Sequence, residues 1–415
     1  MRVLVLGSGG REHALAWKLS QEAEVHAAPG NPGIAQIAEC HPVSLGDDEG
    51  VVQLGARLQP DFALIGPEAP LLTGLADRIR TSGIPVVGPG VEAARLEGSK
   101  SFAKKLMAEA GVPTAEFQTF ENAHEAREYA RRAYGSGKRL AIKASGPALG
   151  KGVVVADDLD TALATIDDML VRRSFGEAGT TVVLEERLTG PEFSLLTLCS
   201  DKGYLSLPVA QDYKRACDGD QGPNTGGMGS YSPLPHLTAD KVAATEAEVV
   251  EPILRTLARR GIPYRGVLFS GLLEHEGRPY CLEYNVRFGD PETQSVMLRL
   301  GNGFADALAA VARGDEIPPI DVRSNAAVVV VLASRGYPGS IETGFPIRIG
   351  DVGDGVELFH AGTKFVDGQL VTAGGRVLAI AACGTDVADA RSTAYRAVQA
   401  VSFEGMQYRT DIASI

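Results

Sequence analysis

The feature that most constrains the fold is the alternation of short apolar strands with helical patterns over the first hundred residues. Residues Arg2–Gly7 read RVLVLG, an uninterrupted apolar run typical of a strand buried on both faces. A glycine turn and a helical pattern over about 11–20 follow, then a strand at 61–66 and a helix near 71–80. This order predicts an N-terminal α/β domain with a parallel sheet that ends near residue 100.

The rest of the chain divides into two further units. A helix over about 92–110 leads into a compact strand-and-helix unit at about 122–187, whose central strands are joined by a glycine loop, as in a small lid. Residues 191–290 are rich in strands, and the last ninety residues add short strands and a closing helix near 387–401. We therefore expect domains over 1–100, 101–325 and 326–415, with the lid inside the second.

Composition limits the class of protein. The chain has 415 residues and a net charge of -12, which opposes a general nucleic-acid binder because no basic excess exists to neutralise phosphates. No stretch is apolar for long enough to span a membrane, and the five scattered cysteines lack metal-ligand spacing. We expect a cytoplasmic monomer without membrane or nucleic-acid partners.

The first glycine turn, Gly7-Ser8-Gly9-Gly10-Arg11-Glu12, enters a helix and can present backbone N–H groups to a phosphate. It is a poor dinucleotide fingerprint, because Glu12 occupies the third glycine position and no acidic residue ends the second strand. An ordinary turn explains the string about as well as anion binding does, although Arg11 favours a phosphate.

A second glycine loop follows Lys143 and runs from Gly146 to Gly152. It is not a P-loop, because the spacing is one residue short and Gly152 stands where the metal-binding hydroxyl belongs. It reads as a flexible hairpin tip over a nucleotide, with Lys143 and Lys151 reaching the phosphates. The alternative is an ordinary hairpin with solvated lysines.

Carboxylates mark two strand ends. Glu185, with Glu192 a few residues on, can hold ribose hydroxyls, although solvated glutamates are the commoner reading of such residues. Glu283 and Asn285 point to the same face of a strand, two residues before Arg287. Two oxygen ligands beside an arginine suit Mg²⁺ held together with nucleotide phosphates, and a polar strand face with an ion pair is the alternative.

A long glycine-rich loop interrupts the strand-rich region. Its string GPNTGGMG, residues 222–229, can form a nest of backbone N–H groups for an anion, or simply connect two strands. The charged string QDYKR just upstream, residues 211–215, is placed to face the same cleft.

The strings GSGGREHALAW, GPEAPL, LEGSKSFAKKLM, GKGVVVA, GPNTGGMGSYSPLP, EYNVRFGDPETQ, FHAGTKF and VTAGGRVL, in this order, resemble the ATP-grasp superfamily. Within it they are similar to the phosphoribosylamine–glycine ligase family, from residue 1 to about 400. The resemblance implies ligation of glycine to 5-phosphoribosylamine with ATP and Mg²⁺ or Mn²⁺, through glycyl phosphate, in de novo purine synthesis. It also implies an N-terminal α/β domain, a central ATP-grasp domain with a mobile lid and a strand-rich C-terminal domain.

The resemblance also assigns residues. The metal ligands it implies are Glu283 and Asn285, and the catalytic groups it implies are Arg287 and Lys143. No general base is evident from the sequence: either the substrate amine is neutral enough to attack unaided, or Asp212 accepts its proton. The ATP contacts it implies are Lys104, Lys143, Lys151, Gly152, Glu185 and Glu192. The substrate contacts it implies are Gly9, Gly10, Arg11, Glu12, Pro67, Glu68, Asp212, Lys214, Asn224, Thr225, Gly226, Arg287, Asp290, Pro291 and Glu292.

Three alternatives stay open on the sequence. One is another ATP-grasp ligase or a carboxylase of purine or biotin metabolism, which phosphorylation of bicarbonate would reveal. The second is a nicotinamide oxidoreductase, suggested by the first strand and its glycines alone. The third is a nucleotide-binding protein that retains the fold without catalysis, against which Glu283, Asn285 and Lys143 argue.

Overall fold

The computed structural model describes residues 1–148 and 152–414 of the chain. The first hundred residues form a five-stranded parallel sheet in the order β3-β2-β1-β4-β5. Its apolar strands are buried on both faces, as the sequence predicts for a parallel sheet. The elements are β1 (Arg2–Gly7), α1 (Gly10–Leu19), β2 (Glu24–Pro29), β3 (Glu39–Cys40), α2 (Asp48–Leu58), β4 (Phe62–Ile65), α3 (Glu68–Leu72), α4 (Leu75–Thr81), β5 (Val86–Val87), α5 (Val91–Gly98) and α6 (Lys100–Ala110).

Two helices predicted as continuous are interrupted. The predicted helix over 92–110 is two helices, α5 and α6, because Ser99 has an extended backbone and its hydroxyl caps α6 by accepting the Phe102 N–H at 3.3 Å. The predicted helix near 71–80 is likewise split into α3 and α4, at Gly74, whose φ of +88° lies in the left-handed region. Each break depends on the backbone conformation of one residue, which the spacing of apolar residues does not indicate.

Residues 117–186 form a separate antiparallel sheet in the order β6-β9-β7-β8, covered by two helices. This sheet has a hydrophobic core of its own, with Ile142, Met169 and Leu184 fully buried. Its elements are β6 (Phe117–Phe120), α7 (Ala123–Gly135), β7 (Leu140–Ala144), β8 (Val153–Ala156), α8 (Leu159–Ile166), a π-helical turn (Asp167–Val171) and β9 (Val182–Glu186). We call this unit the lid.

The strand-rich middle of the chain forms an antiparallel sheet in the order β11-β10-β16-β17. A helical segment within 239–259, which the sequence analysis did not predict, packs on it. The elements are β10 (Glu192–Ser200), β11 (Gly203–Ser206), β12 (Gln211–Asp212), β13 (Arg215–Cys217), β14 (Gln221–Asn224), β15 (Gly229–Ser232), α9 (Ala239–Thr245), a π-helical turn (Glu246–Val250), α10 (Glu251–Arg259), β16 (Gly266–His275), β17 (Arg278–Asn285), α11 (Glu292–Met297) and α12 (Phe304–Arg313).

The last sheet has the order β12-β15-β18-β23-β20, so two of its strands come from the middle of the chain. This exchange places the strand that carries Asp212 between the central sheet and the C-terminal region. The remaining elements are β18 (Ala326–Ala333), β19 (Arg348–Ile349), β20 (Val356–His360), β21 (Thr363–Val366), β22 (Gln369–Thr372), β23 (Arg376–Gly384), α13 (Val387–Val398) and β24 (Val401–Ser402).

The architecture is therefore mixed α/β, with a parallel N-terminal sheet and a strand-rich C-terminal region, as predicted, and the C-terminal strands pair antiparallel. Helix α1 packs against α11 and β20, which brings the first glycine turn up to the other two regions. Within residues 1–148 and 152–414, no helix combines the length and the apolar character needed to cross a bilayer.

Candidate active site

Two lysines converge on one buried glutamate where the lid meets α6. Lys104 on α6 lies 2.6 Å from one carboxylate oxygen of Glu185 on β9, and Lys143 on β7 pairs with the other. Burial acts to raise the pKa of Glu185, but Lys143 and Lys104 outweigh it and hold the pKa below its ordinary value. A phosphate group can take the place of this carboxylate as the partner of both ammonium groups.

Lys104 is held from a second side as well. Its ammonium donates to the Thr114 hydroxyl at 2.6 Å, and that hydroxyl donates to the Cys281 carbonyl at 2.7 Å. Burial lowers the pKa of Lys104, against the opposing charge of Glu185. Thr114, which links α6 to β17, was not among the residues predicted from the sequence.

The end of β17 carries Glu283 and Asn285, opposite Gly271 and Phe269 of β16. Burial acts to raise the pKa of Glu283, but surrounding cations outweigh burial and keep the pKa below its ordinary value. In order of effect these cations are Lys214, Lys100, Lys143 and Arg287. The structure thus assembles, around one carboxylate, cations from four separate segments.

Arg287 lies between two glutamates. Its guanidinium is 3.0 Å from Glu97 and 3.6 Å from Glu68, and it donates to Asn285 Oδ1 at 3.4 Å. Glu97 also accepts the Val286 N–H at 2.8 Å. Arg287 Nε is buried and makes no hydrogen bond to the described residues. Glu97, which the sequence analysis missed, stands in the string LEGSK that carried the resemblance.

Asp212 and Glu292 form a second pair of carboxylates, close to Lys214. Burial, and next the charge of Glu292, raise the pKa of Asp212 well above its ordinary value. Burial likewise raises the pKa of Glu292, whose Oε1 accepts from the Ser194 hydroxyl at 2.9 Å. Asp212 Oδ1 is buried without a hydrogen-bond partner among the described residues. Each of these carboxylates disfavours ionisation of the other.

Lys214 and the glycine-rich loop lie next to this pair. The Lys214 ammonium is 2.7 Å from the Glu192 carboxylate, and the Lys214 backbone carbonyl accepts from the Thr225 hydroxyl at 2.9 Å. The Thr225 hydroxyl accepts the Gly227 N–H at 3.0 Å. Gly227 has a φ of +108°, and a Cβ at this position would stand 2.3 Å from Pro291 and 2.7 Å from Asp212. The close approach of this loop therefore requires glycine.

The first glycine turn is shaped by Glu12, which points inward. The Glu12 carboxylate accepts the Gly9 N–H and the Arg11 Nε–H, each at 2.6 Å. A Cβ on Gly7 or Gly66 would overlap the Glu12 side chain, so both glycines make room for it. Glu12 thus determines the shape of the turn as well as lining the cleft beside it.

Beside the first glycine turn lies a depression of about 630 Å³, at the carboxyl ends of β1 and β2. Its lining residues are Gly7, Ser8, Gly9, Glu12, Pro29, Pro42, Ser44, Leu45, Gly46 and Pro67. Glu68 follows directly at the start of α3. Ligands of open parallel sheets bind at this edge because the strand ends and helix N-termini converge there.

The C-terminal region contributes Arg376, a residue that the sequence analysis did not identify. Its guanidinium donates to the Asp290 carboxylate at 2.9 Å, the Asp290 carbonyl at 2.8 Å and the Gly226 carbonyl at 2.6 Å. The Tyr337 hydroxyl accepts the Gly226 N–H at 2.9 Å. Asp290 also accepts from Gln294, which packs beside Gly10. Arg376 stands in the string VTAGGRVL, but nothing in that pattern specifies a partner 86 residues away.

The predicted residues thus form neighbouring groups around Glu185, around Asp212 and at the first glycine turn, and Asp290 links the last two. Lys151 lies outside the described residues, so of that pair only Gly152 is placed, buried with its carbonyl accepting the Ala144 N–H at 2.8 Å. Asn224 ends β14, and Arg409 together with Arg215 supports the adjoining hairpin.

The lid, the lysines that meet Glu185 and the acidic strand end of β17 together define an ATP-grasp fold. Family models agree over most of the chain. They are those described as phosphoribosylglycinamide synthetase N domain (residues 1–97), ATP-grasp (A) domain (98–293) and C domain (327–415).

Curated relatives match over their full length. A phosphoribosylamine–glycine ligase from Rhizobium meliloti is 48% identical, with 99% of this chain and 98% of the relative covered. One from Streptomyces coelicolor is 45% identical, with 100% and 99% covered. The crystal structure of the Thermotoga maritima phosphoribosylamine–glycine ligase has a TM-score of 0.88 at 37% identity, covering 99% of this chain and 100% of that one.

The chain belongs to the phosphoribosylglycinamide synthetase family, whose curated members are named phosphoribosylamine–glycine ligase, and the family prediction is confirmed. This membership opposes the nicotinamide oxidoreductase alternative. A biotin carboxylase domain from Hydrogenobacter thermophilus, solved with MgADP and bicarbonate, has a TM-score of 0.72 at 18% identity and shares the fold.

Proposed function

We propose that this protein carries the activity for which its relatives are named. It joins glycine to 5-phosphoribosylamine with ATP, giving glycinamide ribonucleotide, ADP and phosphate, in de novo purine synthesis. The observation that carries the proposal is the cleft in which Lys104 and Lys143 meet Glu185, beside Glu283, Asn285 and Arg287.

A divalent metal fits at the end of β17. No hydrogen bond or ion pair links the Glu283 carboxylate to another described side chain, and Asn285 Oδ1 has one long contact, at 3.4 Å from Arg287. A carboxylate and an amide oxygen are the donors that Mg²⁺ and Mn²⁺ prefer. When bound here, such an ion supplies positive charge to the polyphosphate of ATP.

The chain's own cations then serve the phosphoryl transfer. A carboxylate is a poor electrophile, so glycine is activated by phosphorylation to glycyl phosphate, whose phosphate is a good leaving group. Lys143 and Arg287 stabilise the charge spread over the transferring phosphoryl group. Lys104, Lys151, Gly152, Glu185 and Glu192 belong to the proposed ATP site. The lid closes over it and excludes water from the reactive intermediate.

Asp212 is placed to accept the proton lost when the substrate amine attacks. Its carboxylate is buried beside Glu292 and Lys214, and a pKa raised above the ordinary value makes it a stronger base. Its orphaned Oδ1 provides an acceptor for a substrate N–H. Lys214, Asn224, Thr225 and Gly226 close over the substrate from the adjoining loop.

The N-terminal depression is the proposed site of phosphoribosylamine. The phosphate of phosphoribosylamine contacts the turn at Gly9 and Gly10. The walls of the site are formed by Arg11, Glu12, Pro67 and Glu68. The loop Asp290-Pro291-Glu292 joins this depression to the phosphoryl-transfer site, because Asp290 lies next to Gly10 while Glu292 lies next to Asp212.

We propose further that the working units are residues 1–100, 101–325 with a lid at about 122–187, and 326–415. We also propose that the protein acts as a cytoplasmic monomer on small molecules.

The decisive experiment measures ADP release with phosphoribosylamine generated in the assay and Mg²⁺ present. We expect release to require both glycine and phosphoribosylamine, and to fall at least about 100-fold in Glu283→Gln. The matched control is Glu316→Gln, which changes an exposed glutamate and retains full activity. ADP release that depends on bicarbonate and not on glycine would assign the chain to a carboxylase instead.

A further inference from the structure

A cluster outside the cleft gathers four polar side chains on one face of the N-terminal sheet, at its edge. Glu24 and His26 stand two residues apart on β2, and Glu39 and His41 stand two residues apart at β3. Residues at this spacing point to the same face of a sheet. The parallel register pairs His26 with Glu39, so the four side chains become neighbours. The proposed ligase reaction uses none of them.

Three of these side chains, His26, Glu39 and His41, bring one ligand atom each to within 4.8 Å of the others. His26 Nδ1 lies 3.1 Å from His41 Nε2 and 3.5 Å from a Glu39 oxygen, while the other Glu39 oxygen is 3.9 Å from His41 Nε2. Ligand atoms around a tetrahedral ion with bonds of about 2.0–2.1 Å are about 3.4 Å apart. These separations, two of which involve different oxygens of Glu39, lie on either side of that value, so one ion can bind all three side chains with little movement of the strands.

The fourth side chain orients the cluster. Glu24 lies 3.1 Å from His26 Nε2, and Arg2 holds the other oxygen of Glu24 at 3.2 Å. An ionised carboxylate only accepts hydrogen bonds, so a neutral His26 that bonds to Glu24 carries its proton on Nε2 and has its Nδ1 lone pair free for an ion. A carboxylate behind a histidine in this way is the usual support for a metal-ligating imidazole.

The exposure of the three side chains determines how an ion can reach them. His26 and His41 are 6% and 7% exposed, and their rings stack at 5.3 Å between centroids. The Glu39 side chain is 68% exposed, so an ion can enter from solvent and retain water on that side. Two imidazoles and one carboxylate with an open position make a site for a borderline transition metal.

We propose that His26, Glu39 and His41 bind one divalent transition-metal ion, with Zn²⁺ as the favoured cation and water completing its coordination. The site differs in chemistry from the cleft, where the proposed ligands are all oxygen atoms. Binding would tie the edge strand β3 to β2. The segment that follows His41 includes Pro42 and Ser44, which line the N-terminal depression, so the metal would also brace one wall of that depression.

The test is equilibrium dialysis of the metal-stripped full chain against Zn²⁺ in excess Mg²⁺, which occupies the oxygen site in the cleft. We expect one zinc ion per chain, with affinity at least about 10-fold weaker in Glu39→Gln and in His41→Gln. The matched controls change the exposed histidines, His124→Gln and His236→Gln, and should bind zinc as the parent protein does. Zinc should also raise the melting temperature of the parent and controls but not of His41→Gln.

If His41→Gln folds poorly, Glu39→Gln still tests the proposal, because Glu39 is exposed and its replacement should not affect folding. Co²⁺ in place of Zn²⁺ should give the intense visible absorption of a four- or five-coordinate ion, lost in the Glu39 and His41 variants. Absence of stoichiometric zinc, or equal affinity in Glu39→Gln and the parent, would overturn the proposal. The His26–His41 contact would then be a plain hydrogen bond that stabilises the sheet edge.

Discussion

At the residue scale, the cations of the proposed active site are paired with glutamates, and a ligand phosphate can replace the glutamate as their partner. Glu185 pairs with both Lys104 and Lys143, and Glu97 and Glu68 flank Arg287. Such pairs keep cations in place at positions where an unpaired ammonium or guanidinium would be costly to bury. The same cations are then available to the phosphates of a nucleotide.

Removing the shared carboxylate should therefore be costly. We expect Glu185→Gln to lower the free energy of unfolding by about 3 kcal/mol, because two ammonium groups lose a buried partner. The neighbouring Glu186 pairs with Lys138 at 3.0 Å on the surface, so Glu186→Gln should cost less than about 1 kcal/mol. Urea denaturation of both variants checks this, and equal costs would contradict the role given to Glu185.

Asp212 should make stability depend on pH. Its pKa is raised above the ordinary 3.8, so the folded protein holds this proton more tightly than the unfolded chain does. The free energy of unfolding therefore falls as pH rises above about 3.8 through the raised pKa. Asp212→Asn lacks this contribution, so it should gain stability relative to the parent as pH increases, while its activity falls by about 100-fold or more.

Denaturation of the parent and Asp212→Asn at pH 5 and pH 8 measures that difference. Because Glu292 is close to Asp212 and its pKa is also raised, Glu292→Gln should show the same trend. A parent that gains stability over Asp212→Asn as pH increases would refute the assignment.

At the element scale, the lid is an independent packing unit. It has its own sheet and core, and it is joined to the rest through α6 and the pair formed at Glu185. Its helices begin at side-chain caps. Asn122 caps α7 by accepting the His124 and Glu125 N–H groups at 2.8 and 3.3 Å, and Asp158 caps α8.

Loss of the first cap should loosen the lid alone. We expect Asn122→Ala to destabilise α7 by about 1 kcal/mol, which raises amide exchange in the lid about 5-fold. Asn122→Asp retains an acceptor at the cap and should restore protection. Hydrogen exchange read by mass spectrometry distinguishes the lid from the N-terminal sheet, and a rise of equal size in β1 would show that the lid is not a separate unit.

At the scale of the whole molecule, the cleft exists because three regions meet. The N-terminal turn packs on the Asp290 loop, and Arg376 of the C-terminal region binds both that loop and Gly226. Asp290 is half-buried, and burial acts to raise its pKa, but Arg376 and next Arg11 outweigh burial and keep the pKa below its ordinary value. The C-terminal region therefore positions the loop between the two proposed substrate sites.

Arg376→Met should impair the use of phosphoribosylamine without impairing the binding of ATP. We expect kcat/KM for phosphoribosylamine to fall about 100-fold, because Asp290 and the glycine-rich loop lose their common partner. KM for ATP should change little, since the lysines that meet Glu185 lie elsewhere. Arg348→Met removes an exposed arginine and serves as the control. An equal loss toward ATP and phosphoribosylamine would indicate a general structural defect.

Much of the fold and site could be predicted because local patterns carry it. Apolar runs identify the parallel strands, and glycine strings identify the turns at Gly9 and Gly227. The spacing of Glu283 and Asn285 places both on one face of a strand. The breaks at Gly74 and Ser99 escaped prediction because each depends on one residue's backbone geometry inside an otherwise helical pattern.

What the sequence by itself determined is the fold class, the family and the chemical types of the cleft residues, since these are encoded in local periodicity and in residue identity. Only the tertiary structure decided which groups face one another. Glu185 between two lysines, Asp212 beside Glu292, and Arg376 on Asp290 each join segments far apart in the chain. So does the register that brings His26 beside Glu39. The physical reason is that charge pairing, burial and the resulting pKa shifts depend on distances through space, which packing of the sheets establishes and no local pattern contains.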